Sequence, residues 1–87
     1  MTDRDPLLVE RESTHGNFTT NARISQILKE IFLDNGYKHF TPAQIEALDM
    51  IALKLSRILS GQPNFRDHWD DIAGYAKLAS EACKPNA

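Results

Sequence analysis

Between Thr41 and Gly61 the chain spells a helix that has no fully polar side. Thr41 as N-cap, Pro42 at N1 and Gln44 at N3 predict a capping box, and Gly61 after Ser60 marks the stop. With Glu46 set at zero degrees on a helical wheel, Leu48, Ile51, Ala52, Leu55, Ile58 and Leu59 gather on the far side. The near side carries Met50 and Leu53 among Glu46, Asp49, Lys54 and Arg57. A helix apolar on both sides has to be central and covered twice. Charges caught beneath such a cover need partners. Lys54 and Arg57 are thus set either to bind anionic groups or to pair with acids. The plain alternative is a row of ordinary surface ion pairs, with Met50 and Leu53 as a contact between two copies of the chain.

The rest of the chain supplies helices to cover it. Asp5 followed by Pro6 predicts a short lead helix over about 6–14, stopped by His15-Gly16. Thr19 or Thr20 is expected to cap a helix over 20–34, with Ile24, Ile27, Leu28, Ile31 and Phe32 at helical spacing and Asn35-Gly36 at its end. A last helix is read over 66–83, and residues 84–87 as a frayed tail. The expected fold class is therefore all-α, a small bundle of three to four helices in one domain, 1–87. Residues 42–60 and 66–83 form its long antiparallel pair. With 87 residues and 41% apolar side chains, the core is near the lower limit for self-sufficiency, so completion as a homodimer or higher homo-oligomer is expected.

Charge and cysteine content narrow the partners. The net charge is −2 and the cations are scattered, which argues against nucleic acid and against an anionic membrane surface. No apolar run reaches spanning length, and Met1-Thr-Asp-Arg-Asp5 lacks the basic and then apolar order of a signal peptide. A cytoplasmic location is expected. Cys83 is the single cysteine and lies on an apolar stripe, where a buried, inert thiol is the ordinary outcome. Spacings for a zinc motif, a P-loop, a dinucleotide fingerprint or a nucleophile elbow are missing.

Two polar concentrations stand out. In the last helix, Trp69, Ile72, Ala76, Ala79 and Cys83 form the apolar stripe, so Trp69 is expected in the core. Asp70 faces water, His68 sits half covered at the edge, and Asp67, Asp71 and Tyr75 share the flank. Asp67 alone reads as an N-cap. Gly74 inside a helix costs about 1 kcal/mol relative to alanine, which a close helix crossing or an approaching ligand would explain. Near the start, Arg11, Thr14, His15 and Asn17 gather around a helix end and suit a phosphate or a base edge. Plain turn chemistry is the alternative there, with Gly16 as a cap, Asn17 opening a loop and Phe18 as a hydrophobic staple.

Three segments taken together, Arg11-Glu-Ser-Thr-His-Gly-Asn-Phe18, Glu46-Ala-Leu-Asp49 with its continuation to Gly61, and Asp67-His-Trp-Asp-Asp-Ile-Ala-Gly-Tyr-Ala-Lys-Leu78, resemble a small uncharacterised domain family of bacteriophages and prophages. More remotely they are similar to the MazG-like all-α nucleoside triphosphate pyrophosphatases and the phage nucleotide-modification-associated domains. That resemblance implies a bacterial-host cytoplasm, a nucleotide ligand and Mg²⁺ held by acids from two helices. Carried over residue by residue, the metal ligands would be Glu46, Asp49, Asp67 and Asp71. Arg11, His15, Asn17, Lys54, Arg57 and Tyr75 would face the nucleotide, and His68 would orient the attacking water. The pattern departs from the family at one place: the glutamate expected three residues before Asp71 is His68. The leading expectation is a protein that binds a nucleoside triphosphate with Mg²⁺, with pyrophosphohydrolysis as its reaction if it is an enzyme. A relative that binds without turnover and a non-enzymatic helical interaction protein are the alternatives.

Overall fold

The computed structural model describes residues 5–83. Four α-helices follow one another: α1 (Pro6–His15), α2 (Phe18–Asp34), α3 (Pro42–Ser60) and α4 (Arg66–Ala82), with a 3₁₀ turn at Tyr37–His39 between α2 and α3. No strand is present among the described residues. The all-α bundle expected from the helical spacing is the fold, and α3 is its centre. It packs along α4 on one side and α2 on the other, with α1 touching α2 and α3.

Local chemistry sets most boundaries. The Thr41 hydroxyl accepts from the Gln44 amide at 3.2 Å while the Gln44 side chain accepts from the Thr41 amide at 3.0 Å, which closes the capping box. The Asp5 carboxylate accepts from the Leu7 amide at 2.8 Å and starts α1. α2 starts earlier than expected. Asn17 rather than Thr19 or Thr20 is its cap, accepting from the Thr20 amide, because Gly16 at φ +82° turns the chain at once and leaves Asn17 extended. Phe18 is then the first helical residue and is 82% exposed, so it staples nothing. α4 begins after Phe65 without a side-chain cap. Asp67 is instead an exposed acid of the first turn, where the helix dipole favours it.

The covered face of α4 departs from the expected stripe. Burial runs through His68, Ile72, Tyr75 and Ala79, a rotation of roughly 50° at 100° per residue. His68 becomes the most buried side chain of the helix at 1% exposure, while Trp69 is half exposed. The Trp69 indole N–H donates to the Pro63 carbonyl at 2.7 Å and ties down the α3–α4 turn instead of filling the core. The same rotation leaves Cys83 exposed at the end of α4. Gly74 meets open space, with nothing within 4 Å of where a Cβ would stand, so neither a helix crossing nor a packed neighbour accounts for it.

The bundle is thin. Among the described residues the buried apolar side chains are Tyr37, Ala47, Ala52 and Ile58, and as many polar ones, Asn21, Ser25, Ser56 and His68, are buried with them. The radius of gyration is 15.4 Å, against about 12 Å for a compact chain of this length. None of the helices is long and apolar enough to cross a membrane, among the described residues.

Candidate functional site

The centre of interest lies where α1, α2, α3 and α4 meet, at the C-terminal end of α3. Two glycines let the chains touch there. A Cβ on Gly16 would collide with the Ser60 carbonyl, and one on Gly61 would collide with the carbonyls of Thr14 and Arg57. The close approach brings polar groups together. Ser60 Oγ donates to Asn21 Oδ1 at 2.8 Å, or to the Ser56 carbonyl at 2.7 Å. Asn21 Nδ2 donates to the His15 carbonyl at 2.6 Å. No buried side-chain nitrogen or oxygen lacks a hydrogen-bond partner among the described residues. A fully satisfied polar cluster of this kind fixes one arrangement of its helices, since any shift strands a desolvated group.

His15 and the fully buried His68 pair within this cluster. Their Nδ1 and Nε2 atoms are 3.1 Å apart, and His68 Nε2 is also 3.1 Å from the Thr14 carbonyl. Phe65 packs against both rings. Burial holds the His15 pKa below its ordinary value, and the charges of Arg57, His68, Arg11 and Lys54 add to the effect.

Above His15 opens a cleft of about 420 Å³ lined by α1, the first turn of α2 and α3. Arg11, His15, Asn17 and Arg57 all line it. Leu8 and Leu53 form apolar wall, and Phe18 stands at its rim. Arg57 is half-buried and makes no ion pair among the described residues. Its pKa is lowered, first by burial and then by Arg11, with Asp71 pulling the other way; a guanidinium remains charged at neutral pH all the same. Asn17, Phe18 and Thr19, at the start of α2 and the positive end of its dipole, also line this space.

The remaining expected site residues lie elsewhere. Lys54 binds Asp71 at 2.9 Å, from α3 to α4, and that contact, outweighing a burial penalty, lowers the Asp71 pKa. Asp49 accepts from the Tyr37 hydroxyl at 2.8 Å, which raises the phenol above its ordinary value. Glu46 is exposed. Tyr75 lines a separate shallow depression with Asp70, Asp71 and Leu78. His68 lies behind His15 and does not line the cleft. No group of three or more His, Cys, Asp or Glu side chains able to hold a metal occurs among the described residues. Glu46, Asp49, Asp67 and Asp71 are not gathered into one group among the described residues. Two of the four acids are engaged elsewhere, Asp49 by Tyr37 and Asp71 by Lys54.

Sequence reasoning missed Asn21, Ser56 and Ser60, the groups that lock the cleft's floor. Their signal was available as a serine pair one helical turn apart on the covered face of α3, followed at once by Gly61.

No curated protein and no solved structure matches the chain. A family model does, across residues 4–83. On that match the chain belongs to the family described as Domain of unknown function (DUF6378).

Proposed function

We propose that the cleft between α1, α2 and α3 binds a phosphate-bearing small molecule of nucleotide size. One observation carries the reading: Arg57 is half-buried beside Arg11 and His15 and makes no ion pair among the described residues, in a chain whose net charge is negative. A desolvated cation without a partner is costly, and an anion in the cleft would relieve that cost. A guanidinium recognises phosphate oxygens in a bidentate way. The helix amides at Phe18 and Thr19 add to the anion's environment, and the exposed Phe18 ring offers a face on which a base can stack.

The proposal commits to binding. Mg²⁺ enters it as the triphosphate's own counter-ion, since no carboxylate cluster is formed to hold one among the described residues. In this reading the likeness to MazG-like and nucleotide-modification proteins of phages is a likeness in nucleotide handling, in the cytoplasm of a bacterial host. The bare apolar side chains of Leu7, Leu8, Leu59 and Leu78, together with the thin bundle, favour assembly with a second copy.

Isothermal titration with a panel of nucleoside triphosphates, with and without Mg²⁺, tests the binding. Saturable heat is expected, with affinity at least tenfold weaker in Arg57→Gln, the size of one lost charge-assisted hydrogen bond. Absence of binding across the panel, or equal binding by the variant, sinks the reading. Sedimentation of the wild-type chain at micromolar concentration tests the assembly; a strict monomer contradicts it.

A further inference from the structure

The way α1 is held goes beyond what a ligand cleft requires. α1 buries none of its residues, and Leu7, Leu8 and Val9 are about half exposed or more. Its polar ties to α2, α3 and α4 leave from the last turn, at Thr14 and His15. The tie to α4 is made by one proton. The Thr14 carbonyl can only accept, so His68 Nε2 must carry the hydrogen. That same N–H faces His15 Nδ1 at 3.1 Å, so His15 Nδ1 presents its lone pair. A proton added to His15 at Nδ1 sets N–H against N–H. His68 can then accommodate it only by moving its own hydrogen to Nδ1 and giving up Thr14.

We propose that the His15–His68 contact is a proton-operated clamp: while His15 is neutral, His68 Nε2–H ties the Thr14 carbonyl of α1 to α4, and when His15 is protonated that bond is given up and the last turn of α1 loosens. The surroundings reinforce the geometry. From α3, Arg57 and Lys54 act on His15 as positive charges, and from α1 itself Arg11 does so. Glu12 of α1 lines the same cleft. Asp71 of α4 is engaged by Lys54. α2 presents only Asn17, Phe18, Thr19 and Asn21 to the cleft. An imidazolium here meets Arg57, Arg11 and a second imidazole, with Lys54 weakened by its pairing to Asp71, and with Glu12 as the carboxylate of the cleft.

The direction in pH follows from linkage. The docked state holds His15 below its ordinary value, so the undocked state binds more protons. Docking is at full strength above about pH 6.5 and weakens as pH falls towards the lowered value, by up to tenfold per pH unit for one proton. Because α1 forms one wall of the cleft, acid would loosen that wall whatever ligand the cleft takes.

Amide hydrogen exchange on the whole chain reads the clamp directly. Between pH 7.5 and 5.5, after correction for intrinsic chemistry, protection of Leu8–Gly16 amides is expected to fall, by at most about tenfold, with the amides of α3 unchanged. His15→Phe keeps a ring against Phe65 and has no proton to gain, so its α1 protection should be flat over that range. His39→Gln, at an exposed histidine, should behave as the wild type. A flat wild-type profile, or a pH-dependent loss that survives in His15→Phe, overturns the proposal. If His15→Phe does not fold, the wild-type imidazole titration followed by NMR decides: a His15 midpoint below that of His39 supports the clamp, and a midpoint equal to or above it overturns it.

Discussion

The two ends of α3 are built on opposite principles. At its C-terminal end Ser56, Ser60, Asn21, His15 and His68 interlock through hydrogen bonds of 2.6–3.3 Å. At its N-terminal end Tyr37 packs on Phe32 with ring centroids 5.4 Å apart, Ala47 is buried, and an apolar groove of about 300 Å³ remains open between Phe40, Leu48, Ile51 and Ala79. The polar end specifies one geometry, because each of its groups has been taken from water and has one place to go. The apolar end is held by non-directional burial, and it is the end left unfinished. The candidate ligand cleft sits at the polar, interlocked end.

Substitutions can break or sharpen that contrast. The largest effect is expected from Gly16→Ala. It puts a Cβ at φ +82° and against the Ser60 backbone, and it should cost about 3 kcal/mol or more in chemical denaturation; a near-neutral result would mean that the crossing is loose. Asn21→Ala removes a buried amide that serves both His15 and Ser60, and a loss of about 2 kcal/mol is expected from the groups left unpaired. At the other end Tyr37→Phe keeps the ring and deletes only the hydroxyl bond to Asp49. A fall in Tm of roughly 3–6 °C is expected there, because one net hydrogen bond is lost from a domain of this size. A Tyr37→Phe effect as large as that of Asn21→Ala would erase the contrast. Gly74→Ala lies outside both ends and meets empty space, so it should stabilise α4 by about 0.5–1 kcal/mol.

Much of the fold was legible because its signals are local. The capping box of α3, the Asp5-Pro6 start of α1 and the doubly apolar face that makes α3 central each depend on neighbours along the chain. What escaped was the rotation of α4. The apolar stripe through Trp69 is a fair guide when the core is apolar, but here the deepest position of the helix is a histidine, satisfied by Thr14 and His15 more than fifty residues away. Hydrophobic spacing carries no information about a polar core. Of the candidate site, Arg11, His15, Asn17 and Arg57 line one cleft. Lys54 and the α4 acids do not join them, because Lys54 and Asp71 neutralise one another across the α3–α4 seam. Spacing on a helix fixes which face a charge occupies and leaves open which partner reaches it first.

The decisive question is whether Arg57, which makes no ion pair among the described residues, receives a phosphate together with Arg11 and the start of α2. Crystals soaked with a non-hydrolysable nucleoside triphosphate and Mg²⁺ address it most directly. Phosphate oxygens are expected within hydrogen-bond distance of the Arg57 guanidinium, with the base near Phe18. Phosphate density seated on Asp67 and Asp71 of α4, with the cleft beside Arg57 left vacant, would contradict it.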